Sequence, residues 1–148
     1  MPSIFSRIIA GEIPGSIVFE EPEWVGLLDI SPISPGHLLI VPRYEVALME
    51  ELPARVLADF GPLLGRAMRA VRAAMDCPAV SVLIRDGVEA GQEVPHVHVH
   101  IVPRLAGAAP HDFRGGSYGD DRETAAEEMM RTAARLKTVW DGTAAGDA

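Results

Sequence analysis

The segment Pro95-His96-Val97-His98-Val99-His100-Ile101-Val102-Pro103-Arg104 constrains this chain more than any other, because three of its five histidines recur there at a spacing of two. A strand sends alternate side chains to opposite faces, so a strand here puts His96, His98 and His100 on one face and Val97, Val99 and Ile101 on the other. The Val/Val/Ile face belongs against a core. Same-face neighbours along a strand are about 6.5–7 Å apart, too far for a compact metal site built from three consecutive ones. The spacing suits neighbouring atoms of an extended ligand, where one imidazole attacks while another holds a leaving group.

Three readings compete for this strand. In the first it is a surface strand whose histidines tolerate water. In the second, His-x-His pairs bind zinc or copper with further ligands from His37, His111 or an acid. The third is nucleophilic catalysis, since neutral imidazole is a good nucleophile near pH 7 and its attack on phosphorus divides a hard displacement into two easier ones. The connection Arg85-Asp86-Gly87-Val88-Glu89-Ala90-Gly91-Gln92 favours the third, because a glycine-containing loop can turn backbone amides toward a bound anion. No Walker-type loop is present, and no aspartate cluster suggests an obligatory magnesium site.

A chain of 148 residues can bury a core as one domain without a structural metal, and the lone Cys77 excludes an internal disulfide framework and fits a reducing compartment. The N-terminus lacks a signal-peptide pattern and no window approaches a membrane-spanning length, so a cytoplasmic protein without a membrane partner is expected. A net charge of −8 and a pI near 5.0 argue against sequence-independent nucleic-acid binding. A small anionic ligand remains compatible with a locally positive pocket.

Along the chain, apolar residues at 4, 5, 8 and 9 predict a short helix stopped by Gly11 and Pro14. Residues 17–20 and 24–29 predict an antiparallel hairpin; 31–36, with two prolines, a shaped loop; and 37–41 a strand with His37 at its mouth. The three- and four-residue recurrence of apolar side chains from about Met49 to Met75 predicts one long helix, kinked or broken near Gly61 by Pro62. Residues 79–84 predict a strand, and 106–119 a poorly defined segment. Asp120 is expected to cap a final helix with Ala126, Met129, Met130, Ala133, Leu136 and Trp140 as its apolar stripe. The fold class is α+β: a mostly antiparallel sheet of about five strands, one long helix and a C-terminal helix. The whole chain, 1–148, is read as one domain with a core at about 3–104 and a helical extension at about 120–140.

The run from Gly91 to Arg104 resembles the signature of the histidine triad (HIT) family, in which His-x-His-x-His is flanked by apolar residues. The likeness extends to Ile4–Pro14, Leu28–Pro32 and Pro35–Pro42, in the expected order. The resemblance implies a hydrolase or transferase acting at the α-phosphorus of a purine nucleotide through a nucleotidyl-histidine intermediate. It also implies a homodimer whose sheets join, and no cofactor. By the same resemblance His98 is the nucleophile, His100 stands near the leaving atom, and His96 supports the site from the strand's start. His37 comes from the neighbouring strand, Asp29 binds the ribose hydroxyls, and Ile30, Phe5 and Ile8 line the base pocket. Plain core is the other reading of those apolar residues. Gln92 is counted with the substrate-binding residues. The alternative to an enzyme is a nucleotide-binding regulatory protein with negligible turnover.

Three departures from the family pattern stand out. Zinc-containing relatives carry Cys-x-x-Cys and a His where this chain has Ser3, Ser6 and Glu45, so no structural metal is expected. Arg85 replaces the usual Asn or Gln facing the phosphate, and Glu93 replaces a Ser or Thr. Either these two form an ion pair at one end of the ligand site, or Glu93 faces solvent and Arg85 alone touches ligand.

Overall fold

The computed structural model describes residues 1–107 and 122–143. Its elements are α1 (Ile4–Ile9), β1 (Ile17–Glu20), β2 (Trp24–Leu28), β3 (Leu38–Pro42), α2 (Ala54–Ala58), α3 (Phe60–Met75), β4 (Ala79–Ile84), β5 (Val99–Arg104) and α4 (Arg122–Gly142), with single 3₁₀ turns at Met49–Glu51 and Val88–Ala90. The five strands form one antiparallel sheet in the order β1-β2-β3-β5-β4, the α+β arrangement expected.

Strand parity divides the molecule into two faces. On one face Trp24, Leu28, Leu38, Ile40, Val99 and Ile101 pack with Val56 of α2, with Leu63, Ala67 and Val71 of α3 and with Leu136 and Trp140 of α4. On the other, Val25, Leu27, Leu39 and Val41 pack with Phe5 and Ile8 of α1. Because β2 and β3 are covered on both faces, they read as continuous apolar runs. Residues 98 and 100 of the histidine segment have the parity of the α1 face, and that face carries the site.

Two helices differ from expectation in detail. The long helix is divided into the 3₁₀ turn, α2 and α3, with the break at Asp59. Pro62 consequently falls in the first turn of α3, where a missing amide proton costs no intrahelical bond. In α4 the buried side is Thr132, Leu136 and Trp140, with Met129, Ala133 and Val139 beside it, whereas Ala126 and Met130 are exposed. The Trp140 ring stacks on Phe19 of β1 at 3.8 Å between centroids and carries the Arg66 guanidinium at 3.8 Å from its ring centroid. The C-terminal helix is therefore part of the main core. Asp120 and His111 lie outside the described residues, as does most of the 106–119 segment. Among the described residues no helix is long and apolar enough to cross a membrane.

Candidate active site

Antiparallel pairing of β2 with β3 ends where Asp29 N–H donates to the His37 carbonyl, which sets these two residues side by side at the sheet's end. The proline loop before β3 holds His37 in place. Gly36, at φ +89°, lets the chain turn against the end of α3, where a Cβ would meet Met75 Cγ at 2.6 Å. Ser34 Oγ–H ties the loop to the Pro103 carbonyl at 2.7 Å. Leu39 pairs with His100 across the β3–β5 ladder, so β5 delivers His100 to the same place.

The hydrogen bonds there fix which ring nitrogen carries each proton. Ile33 N–H donates to His37 Nδ1 at 3.0 Å, so neutral His37 carries its proton on Nε2. That nitrogen lies 2.9 Å from His100 Nδ1 and donates to it, which leaves the His100 proton on Nε2. His98 Nδ1 is 2.8 Å from the His96 carbonyl and donates to it, so its lone pair is on Nε2. Burial pushes His37 below its ordinary pKa against the pull of Asp29, whose Oδ2 is 3.6 Å from His37 Nε2. Burial, then the neighbouring His37 and His98, lower His100 to about 4. The pair is neutral at pH 7: one donor nitrogen, on His100, and one acceptor nitrogen, on His98, remain for a ligand.

These rings line a cavity of ≈ 430 Å³, a size suited to a small-molecule ligand. Phe5, Ile8, Leu27, Ile30 and Leu39 form an apolar wall; Asp29, Arg85, Glu93 and the three histidines 37, 98 and 100 supply polar groups. Phe5 and Ile8 are buried, Ile30 is largely exposed at the mouth, and the Phe5 ring lies 4.9 Å from that of His98. A second cavity of similar size, beside Arg66 and Trp140, has no histidine among the described residues that line it.

His96 is not in the cavity. The strand begins only at Val99, and at its approach Val97 N–H bonds to the Val46 carbonyl, so the chain carries His96 under the start of α1 with no exposed surface. There His96 Nε2–H donates to the Pro42 carbonyl at 2.7 Å and Ser3 Oγ–H donates to Nδ1 at 2.5 Å. Burial lowers its pKa, and the T-shaped contact with Phe5, at 5.8 Å, completes its cover. His96 is thus sealed from the cavity. Sequence reasoning missed its partners Ser3 and Pro42, and missed the Ile33 amide that sets the His37 tautomer.

Further expectations about the loop are corrected. Gln92 does not line the cavity: its amide accepts from Gly87 N–H and donates to the Ala47 carbonyl, both at 2.8 Å, stapling the loop from inside. The Ala90, Gly91 and Gln92 amides bond to carbonyls of the same turn, so with Gly87 these four are not turned toward an anion. Arg85 and Glu93 both line the cavity, but no ion pair joins them among the described residues, and Glu93 is exposed.

Two clusters of side chains bring potential metal donors together. Ser3, Ser6, Glu45 and His96 do converge, but as a closed hydrogen-bond network. Glu45 Oε1 accepts from Ser6 Oγ–H and Ser3 N–H, each at 2.6 Å, which holds its carboxyl at about 2, and Ser3 Oγ occupies His96 Nδ1. Two hydroxyls are poor zinc ligands, so this set does not fit a structural zinc. Asp29, His37 and His100 have ligand atoms within 4.8 Å of one another. Their imidazole nitrogens, at 2.9 Å, are bonded to each other and closer than the roughly 3.3 Å that two nitrogens around a tetrahedral zinc require.

Comparison with known proteins agrees with this architecture. The model of the HIT domain matches residues 10–107. An uncharacterized HIT-like protein of Mycobacterium tuberculosis is 38% identical over 103 residues, 70% of this chain and 72% of that one. An adenosine 5'-monophosphoramidase of Saccharomyces cerevisiae is 38% identical over 101 residues, 68% of this chain and 61% of its own. Relatives also include an adenylylsulfatase of Arabidopsis thaliana, 34% identical over 68% of this chain and 51% of its own, and a bis(5'-nucleosyl)-tetraphosphatase of Schizosaccharomyces pombe, 38% identical over 52% and 42%. Among solved structures, a hypothetical histidine triad nucleotide-binding protein of Sulfolobus tokodaii superposes with a TM-score of 0.80 at 25% identity, covering 93% of this chain and 91% of that one. With nucleotide hydrolases among its relatives, a domain match over most of its length and the same fold, the chain belongs to the HIT family.

Proposed function

We propose that this protein hydrolyses a purine nucleotide at its α-phosphorus, through a nucleotidyl group carried on His98. In the first half-reaction the His98 Nε2 lone pair forms a bond to phosphorus while the bond to the leaving group breaks. His100 Nε2–H donates to the departing atom. In the second, water attacks phosphorus, its proton is released to solvent, and the P–N bond to His98 breaks, returning the electron pair to His98 Nε2 and releasing a nucleoside monophosphate. Asp29 at the cavity mouth is suited to ribose hydroxyls, and the Phe5, Ile8 and Ile30 wall to a flat base.

The observation that carries this reading is the hydrogen-bond relay from Ile33 N–H through His37 to His100, together with the His98 bond to the His96 carbonyl. It presents one lone pair and one proton to a single cavity. A nucleotide labelled in its base, mixed with enzyme and quenched within milliseconds, should leave label on His98 as an acid-labile, base-stable adduct. Release of monophosphate without such an adduct would sink the covalent route, and no release from any α-substituted nucleotide would sink the activity.

We further propose a homodimer. Strand β4 is an edge strand with Val82 exposed, and an exposed edge invites pairing with a second copy. Light scattering at micromolar concentration should give twice 15.9 kDa; a stable monomer mass would refute it.

A further inference from the structure

Arg85 is the feature of the cavity that the hydrolytic scheme leaves unused. It follows directly on β4, is half-buried, and lines the same cavity as His98 and His100. Its stem lies over Gly91, where a Cβ would stand 3.4 Å from Arg85 Cδ and 3.8 Å from Nε; with φ at +91° this position also favours glycine. The loop therefore gives the arginine a smooth bed along the cavity wall. Among the described residues no carboxylate forms an ion pair with it. Asp29 is beside His37 and accepts from Ser31 N–H, and Glu93 is exposed on the same wall without reaching it. A guanidinium that neither of the cavity's two carboxylates, Asp29 and Glu93, pairs with, in the same cavity as His98 and His100, is a standing site for an oxyanion.

Its place relative to the two reactive histidines says which oxyanion. Because β4 pairs Leu83 with His100 and Ile84 with Val99, Arg85 leaves the strand end that faces the histidine segment and lines one cavity with His37, His98 and His100, where its charge opposes a positive charge on His37 and His100. An amine leaving group needs the opposite setting: as the P–N bond breaks, its nitrogen must take a proton, and a cation held beside His100 makes that proton harder to keep in store. An oxyanion leaving group takes the electron pair of the breaking P–O bond onto oxygen and needs no proton. A fixed cation stabilises that growing charge.

Resting on the nucleotidyl-transfer reading above, we infer that Arg85 makes the site selective for nucleotides whose leaving group carries its own negative charge, a phosphate or sulfate oxygen, over nucleotides with an amine leaving group. The test is the ratio of kcat/KM for diadenosine tetraphosphate to that for adenosine 5'-phosphoramidate. In Arg85→Asn this ratio should fall at least tenfold relative to wild type, and Arg85→Lys should recover part of the loss. A ratio unchanged within threefold would overturn the inference. Equilibrium titration needs no turnover and separates the two readings: Arg85→Asn should weaken α,β-methylene-ADP at least fivefold more than it weakens AMP, and equal weakening again overturns the inference. Wild-type protein that turns over neither substrate would refute nucleotidyl transfer, and the titration would then decide the role of Arg85 by itself.

Discussion

His96 and His98 are two residues apart on the same approach to β5, yet one is sealed and the other opens on the cavity. Both nitrogens of His96 have protein partners, Ser3 and the Pro42 carbonyl, and the ring has no exposed surface. His98 has one hydrogen-bond partner among the described residues, the His96 carbonyl, and lines the cavity. What separates the sealed imidazole from the open one is the occupancy of the second nitrogen, which neither residue type nor spacing specifies. The sealed end also serves the open one, because the His96 carbonyl is the group that fixes the His98 tautomer.

The comparison breaks most sharply at its open member. His98→Ala removes the only unpartnered acceptor nitrogen of the relay, so turnover should fall by roughly 10⁴-fold or more. The ribose and base contacts remain, and affinity for nucleoside monophosphate, measured by calorimetry, should stay within a few-fold of wild type. Comparable turnover in the variant would return both histidines to the structural class.

At the sealed member the loss should appear in stability. His96→Ala empties a fully buried site and strands the Ser3 hydroxyl and the Pro42 carbonyl, at a cost of about 3–4 kcal/mol in denaturant unfolding. A loss below about 1 kcal/mol would mean that the Ser3 and Pro42 bonds contribute little, and that His96 is held in place by its surroundings alone.

Acid should sharpen the contrast further. His100 has a folded-state pKa near 4, below its ordinary 6.5, and His37 and His96 are lowered as well. Between those values the unfolded chain binds protons that the folded chain refuses, so their contribution is complete above pH 6.5 and is lost as pH falls toward about 4. His100 alone should account for on the order of 3 kcal/mol of that loss. Unfolding free energies measured from pH 7 to 4 should fall steadily, and His100→Asn should make the decline shallower without removing it. A profile flat across this range would mean that the buried histidines charge without penalty.

Much of this was legible in the sequence because it rests on periodicity and local chemistry. Alternation put Val97, Val99 and Ile101 in the core; turn residues separated the strands; and the resemblance placed His98, His100, His37 and Asp29 at one cavity. What escaped depends on long-range hydrogen bonding. The partner of His96 is Ser3, 93 residues away, and no pattern around either residue announces it. Glycines in the 85–92 loop suggested amides free for an anion, but the 3₁₀ turn and the Gln92 amide take up four of them. Opposite charges at 85 and 93 left both an ion pair and a solvent-facing Glu93 open, and the structure has Glu93 exposed and no ion pair between them.

The smallest expected effect tests how the sealed end is tied to α1. Glu45 accepts from Ser6 Oγ–H and from Ser3 N–H, and Ser3 in turn caps α1 by accepting from Ser6 N–H at 3.1 Å while it donates to His96. One carboxylate therefore links the loop after β3, the helix that carries Phe5, and the buried histidine. Glu45→Gln keeps an acceptor oxygen and removes the charge. Because the carboxylate is about one-third exposed, solvent screens much of its interaction, and the stability loss at pH 7 should stay below about 1 kcal/mol. Its lowered pKa gives a contribution present above the ordinary 4.5 and lost as pH falls toward about 2. The gap between wild type and variant should therefore close across that interval. If α1 owes its position to this network, the variant should also raise KM modestly through Phe5 and leave kcat alone; a fall in kcat with KM unchanged would place the effect of Glu45 on the histidines instead.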